Sequence, residues 1–207
     1  TSNTMDTLDL KKTYKTLFSA PATAPILVDV PPLSYLMLDG QGDPNTSPAY
    51  EAAVQTLYSV AYTLRFALKK AAVLDYTVPP LEGLWLAKDM GAFLAADREA
   101  WQWTMMILTP EAVTREWFDK ARAEARAKGA LAIERLRLET YAEGLSAHIM
   151  HIGPYAAEAP TIERLHAFIA AEGYVPAGKH HDIYLGDPRR AAAEKLKTII
   201  RQPVARP

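Results

Sequence analysis

The chain has 207 residues, 49% of them hydrophobic and 23% charged, enough for one large buried core or two small ones. Its 23 Lys and Arg against 24 Asp and Glu leave a formal charge of -1, with the basic residues dispersed, so the composition argues against nucleic acid and against a polybasic membrane surface. The absence of cysteine excludes disulfides, thiolate metal sites and a cysteine nucleophile, and no apolar run approaches the roughly 20 residues of a membrane span.

In chain order, Leu8–Phe18 reads as a short amphipathic helix and Ser19–Pro25 as a proline-rich linker. Leu33–Leu38 is the first clear strand. Ser47 is placed to cap a helix with Pro48 in its first turn, and Tyr50, Val54, Leu57, Ala61, Leu64 and Leu68 recur at helical spacing towards Lys69 and Lys70. DYTVPPLEGLWLA (75–87) supplies one strand and WQWTMMIL (101–108) another. Thr109 and Pro110 are expected to open a second helix, ending near Lys128 and Gly129, with Val113, Trp117, Ala121 and Ala125 inward. Leu136–Ala142 and Leu145–Ile152 read as a hairpin turning at Glu143 and Gly144. A third helix carries Ile162, Leu165 and Ile169 and stops at Gly173. The strand within KHHDIYLGDP (179–188) follows, and Leu196–Gln202 is the last strand, ended by Pro203.

The two halves share the order strand, helix, strand, strand, and the letters echo it. LSYLMLDG at Leu33 aligns with LSAHIMHIG at Leu145, PLEGLWLA at Pro80 with HHDIYLGD at His180, and WTMMILTP at Trp103 with LKTIIRQP at Leu196. The expected fold class is α+β: tandem pseudo-twofold strand-helix-strand-strand repeats, with antiparallel sheets, helices outside and a ligand cleft between the repeats. The expected division of this single domain is an N-terminal extension (1–25), a first repeat (26–109), a connecting helix and strand (110–144) and a second repeat (145–207). In that alignment Glu82 and Asp182 correspond and face a shared space.

The segments LMLDGQGDPN, LYSVAYTLRF, DYTVPPLEGLW, HIGPY and HHDIYLGDPRR with EKLKTIIRQPV together resemble the GyrI-like small-molecule-binding family, the effector-binding domains of multidrug-responsive transcription regulators, from about Val30 to Val204. The resemblance implies an aromatic-walled cleft for planar, amphipathic or cationic aromatic compounds, without cofactor. Regulators of this family add a DNA-binding helix-turn-helix, for which this chain leaves no room, so a standalone binding domain is expected, bacterial and cytoplasmic, monomeric or homodimeric. The longer standalone branch includes hydrolases that open the cyclopropane ring of DNA-alkylating natural products. This chain departs from the family at Asp182, where glutamate is usual, one methylene longer, which makes Glu82 the expected principal acid, and more mildly at LWLA after Gly83, where related chains often carry a second aromatic beside Trp85.

The candidate catalytic residues are therefore Glu82, Asp182 and Tyr155. The candidate ligand wall adds Tyr184, Trp85, Trp101, Trp103, Tyr35, Tyr141 and His148. Each has a plainer reading: Glu82 as a solvated edge carboxylate, Trp101 and Trp103 as a core face, the histidines as satisfied by neighbouring carbonyls. Strict alternation sets Trp85 opposite to Glu82. His148 and His151 point to opposite strand faces, as do His180 and His181, so no zinc-like ligand set forms.

Overall fold

The computed structural model describes residues 5–86 and 98–207. The chain begins with β1 (Thr7–Asp9) and a single helical turn, α1 (Leu10–Thr13), then β2 (Ile26–Val30) and β3 (Leu33–Gln41). The long helix α2 (Pro48–Lys70) leads to β4 (Asp75–Thr77), β5 (Leu81–Leu86) and β6 (Gln102–Leu108). Next come α3 (Arg115–Ala127), β7 (Arg137–Tyr141), β8 (Gly144–Ile152), α4 (Ala159–Ala171), β9 (Val175–Pro176), β10 (His180–Tyr184) and β11 (Lys197–Ala205). No helix among the described residues is long and apolar enough to cross a membrane.

One antiparallel sheet holds β2-β8-β11-β10-β5-β6-β3-β7 in that order, with β9 also on β11. The first repeat contributes β3, β6 and β5, the second β10, β11 and β8, and they join where β5 meets β10. The hairpin expected of β7 and β8 does not form. β7 pairs with β3, whereas β8 pairs with β11 and β2 at the other end of the order. Only Ala142 and Glu143 join β7 to β8, too short a link to span a flat sheet, so the sheet curls until its ends approach. Val28, Tyr35, Leu84, Met106, Ile183 and Ile199, from strands far apart in the order, pack together on the inner face.

The helices cover the outer face. Ser47 caps α2, its Oγ accepting from Tyr50 N at 3.4 Å, and Leu57, Ala61, Leu64 and Leu68 bury against Leu36, Leu38, Trp103, Met105 and Ile107. α4 buries Ile162, Leu165 and Ile169 against Ala147, Ile149 and Ile200, leaving Gly173 in the left-handed region at φ +79°. The inner face is covered by the N-terminal segment, whose Leu10, Leu17 and Phe18 join its core.

Several sequence expectations are corrected. Leu8–Phe18 is not one helix: Thr7–Asp9 pairs in parallel with Asp75–Thr77, and Asp9 accepts from Lys11 N to start a single turn. The second helix opens at Thr114, which caps Trp117 N, because Thr109 is spent on the Ser34 carbonyl and Pro110 on a turn to Val113. Its buried stripe is Phe118, Ala121 and Ala125, so Trp117 is only partly buried. The last strand runs through Pro203, whose position opposite Ser146 keeps it in the sheet. β2 and β9 were not expected, and β4 was not separated from β5.

Candidate functional site

The β5–β10 pair fixes which side chains meet. Glu82 stands opposite Ile183 and Leu84 opposite His181, while Gly83 stands opposite Asp182 and Trp85 opposite His180. Residues directly opposite in an antiparallel pair share a face. Glu82 and Asp182 therefore lie on opposite faces of the sheet, against the expected shared space. The alignment that matched them is one residue out of register on this strand, and in an element of period two such a slip carries a side chain to the other face.

The outer face carries an aromatic row in the gap between α2 and α4. Trp85 Nε1 donates to the Tyr184 hydroxyl at 3.1 Å, and that hydroxyl lies 3.5 Å from Asp182 Oδ2. Tyr50 stacks on Trp85 at 6.4 Å between centroids and meets the Trp103 ring edge-on at 5.4 Å. Trp101 meets Trp85 edge-on at 5.7 Å, and Tyr155, 40% exposed, meets Tyr184 in the same manner at 5.7 Å. Gly83 makes this possible: a Cβ there would come within 2.8 Å of Trp85 Nε1 and 3.3 Å of the Tyr184 hydroxyl. Tyr50, Trp101 and Tyr184 are half-buried, so the row is open to the surface along part of its length, the outer groove.

Asp182 is the buried acid of this groove, and His180 Nε2 lies 2.8 Å from its Oδ1. Burial, followed by the charges of Glu158, Asp182 and neighbouring groups, pushes the Tyr155 phenol up to about 12. Burial raises Tyr50 and Tyr184 as well, with Asp182 adding to both, so these phenols stay protonated donors. Of the expected site residues, the structure brings together Trp85, Trp101, Trp103, Tyr155, Asp182 and Tyr184 here. Tyr50 and Glu158 belong to the same groove and sequence reasoning missed them. Tyr50 was read as part of a core stripe, and Glu158 lies in a loop-like run, AAEAP, with no motif to mark it.

Glu82, Tyr35, Tyr141 and His148 are instead on the inner face. There His181 Nε2 donates to Glu82 Oε1 at 2.8 Å and Nδ1 to Glu143 Oε2 at 2.7 Å. With a carboxylate at each ring nitrogen, His181 is held as imidazolium: burial alone would pull its pKa down, but Glu143 and Glu82 more than offset this and raise it to about 9. Arg201 Nη1 lies 3.5 Å from Glu143 Oε1, and Nη2 donates to the Leu17 carbonyl at 2.5 Å. Two carboxylates thus face one imidazolium and one guanidinium, all almost fully buried. Arg201 also donates to His148 Nδ1, and since a guanidinium only donates, that nitrogen accepts. Burial, with the Arg201 charge next, lowers His148 to about 3 and keeps it neutral. Burial would raise Glu143, but His181 and Arg201 bring it below the usual carboxylate range.

Two open surface hollows are also present: one of about 570 Å³ between the N-terminal segment and β2, and one of about 730 Å³ beside Arg135, Arg137 and Lys179, which shares Trp103 with the aromatic row. Among the described residues, no group of three or more histidines and carboxylates is placed to hold a metal ion.

A curled antiparallel sheet of two related halves, with helices outside and an aromatic groove over their junction, is the architecture of a small-molecule-binding domain. The chain belongs to the GyrI-like small molecule binding domain family, which matches residues 23–205. It is similar to a hydrolase from Listeria innocua, with 38% identity, a TM-score of 0.87, and coverage of 97% of this chain and 100% of that one. An uncharacterized conserved protein from Listeria innocua matches equally well, at 38% identity and TM-score 0.87 over 96% and 100%. The EcmrR C-terminal domain shares the fold at 10% identity and TM-score 0.55, over 88% and 98%. No curated protein matches the chain.

Proposed function

We propose that the protein binds planar, amphipathic or cationic aromatic small molecules in the outer groove, with aromatic rings as walls and Asp182 as counter-charge. The observation that carries this reading is the continuous row Tyr155, Tyr184, Trp85, Tyr50 and Trp101 set over a buried carboxylate. A planar cation gains stacking and cation–π attraction there, each worth about 0.5–2 kcal/mol when desolvated. A carboxylate beside the rings supplies a stronger, charge-assisted contact. The test is fluorescence titration with 9-aminoacridinium. Saturable binding, about tenfold weaker in Asp182→Asn, is expected, and an unchanged affinity in that variant would remove Asp182 from the site.

A second reading joins the similarity to a Listeria innocua hydrolase with the cyclopropane-opening chemistry that the sequence resemblance implies: hydrolytic opening of a cyclopropane ring conjugated to a carbonyl. Water would add its oxygen to the ring carbon, the broken carbon–carbon pair would pass to the conjugated carbonyl, and that oxygen would gain a proton. Glu82, expected to lead this chemistry, is engaged with His181 on the far face, which leaves Asp182 and Tyr155 as the groove's acid and phenol. Mass spectrometry of a cyclopropane-bearing alkylator incubated with the protein separates the readings. Ring-opened product beyond one equivalent, lost in Asp182→Asn, supports the hydrolase, and protection without product leaves binding alone.

A further inference from the structure

Glu158 stands where a helix-capping side chain is expected, at the residue before α4, yet it makes no capping hydrogen bond. Such a position ordinarily turns its oxygen back to the first free N–H groups. Here the residue closes the turn begun by Tyr155, its N–H donating to the Tyr155 carbonyl at 3.2 Å beside the ring that meets Tyr184, and its charge is felt by both phenols. Its Oε1 is buried with no hydrogen-bond partner. A buried carboxyl oxygen without a donor is costly when charged and far less so when the group holds a proton. Asp182, whose two oxygens already meet His180 and Tyr184, faces it from β10.

We infer that Glu158 is a ligand-contacting residue of the groove, a hydrogen-bond donor standing beside Asp182, so that the groove selects planar aromatic ligands carrying a carbonyl or similar acceptor. This inference rests on the groove being the binding site. The two carboxyl groups then divide the recognition: Asp182 answers a positive charge and Glu158 an acceptor oxygen. Burial first, and then the Asp182 charge, raise Glu158 to about 9, so it remains a donor at neutral pH. Tyr155 on its own turn and Tyr184 from β10 feel its charge, and Asp182, Asp187 and Tyr58 act on Tyr155 beside it. Of these groups, Asp182 is the charge that acts on Glu158.

The test uses two planar tricyclic probes, acridone, which carries a carbonyl, and carbazole, which lacks one. Both should bind the unaltered protein, with circular dichroism and a melting curve confirming that each variant folds. Glu158→Ala should weaken acridone about five- to tenfold and leave carbazole unchanged. Glu158→Gln keeps an N–H donor and should hold acridone within about threefold. In the unaltered protein acridone affinity should fall as pH rises through about 9, while Glu158→Gln should lose that fall. Equal acridone affinity in Glu158→Ala, or an equal loss for both probes, overturns the assignment of Glu158. If neither probe binds the unaltered protein, the groove itself is not the site, a separate failure that takes both readings with it.

Discussion

The two faces of the β5–β10 pair place charge in opposite ways. On the inner face, Glu82, His181, Glu143 and Arg201 balance one another with their side chains buried, and Arg201 donates to the Leu17 carbonyl of the N-terminal segment. On the outer face, Asp182, with His180 beside it, and Glu158, whose carboxyl is raised to about 9, sit beside half-open aromatic rings. Adjacent residues on one strand, His181 and Asp182, serve the two faces. A closed, balanced cluster holds the chain together, and on the proposed binding reading the outer one, bordered by partly exposed rings, is the one that meets a ligand.

The comparison breaks most sharply if the inner cluster proves dispensable. Arg201→Met removes one cation and leaves a buried excess of negative charge, which should cost about 3–5 kcal/mol of stability in urea unfolding. Dye affinity of the protein that remains folded should be unchanged. A loss below 1 kcal/mol would show that water reaches the cluster and that the inner face is not sealed.

The pH dependence sharpens the same contrast. His181 is raised in the folded chain to about 9 from its ordinary 6.5. Its contribution is complete below pH 6.5 and is lost as pH rises through 9, so the urea midpoint should decline across that window. Glu158, also raised to about 9, acts in the same direction, and His181→Gln against Glu158→Gln assigns each share. On the acid side Glu143, held low, contributes above its ordinary 4.5 and is lost as pH falls through its folded value. A midpoint that climbs between pH 7 and 9 would contradict an imidazolium at position 181.

The outer face is probed with the smallest expected effect by Gly83→Ala. The added methyl meets Trp85 Nε1 at 2.8 Å and Met105 Sδ at 3.1 Å, so Trp85 must move away from Tyr184. Overpacking of this kind costs about 1–3 kcal/mol. Weaker dye binding should accompany it, because the wall of the groove is displaced. Unchanged binding would mean that the Trp85–Tyr184 contact does not shape the site.

Much of the outer aromatic row was legible in the chain itself. Asp182, Tyr184, Tyr155 and the tryptophans were found because aromatic and acidic residues cluster in short segments, and alternation alone set Trp85 against Glu82. Glu82 was placed on the wrong face because the repeat is faint enough to be aligned one residue out. Glu143 and Arg201 carried no local signal, since Glu143 meets His181 from β10 and Arg201 from β11, while Arg201 also meets His148 from β8 and the Leu17 carbonyl of the N-terminal segment.

Local chemistry in the sequence determined the long helices, through the Ser47–Pro48 start and the stripes of α2 and α4, and it determined the strands flanking each helix and their doubled order. Tertiary structure alone decided that β7 and β8 part to opposite ends of one curled sheet, that the N-terminal segment seals its inner face, and which residue of β5 stands across from which residue of β10. The physical reason is that helix periodicity and capping act within a few residues of chain, whereas strand register is set by contacts between segments about a hundred residues apart. With a period of two, a single step of register decides whether an acid is buried in the frame or offered to a ligand.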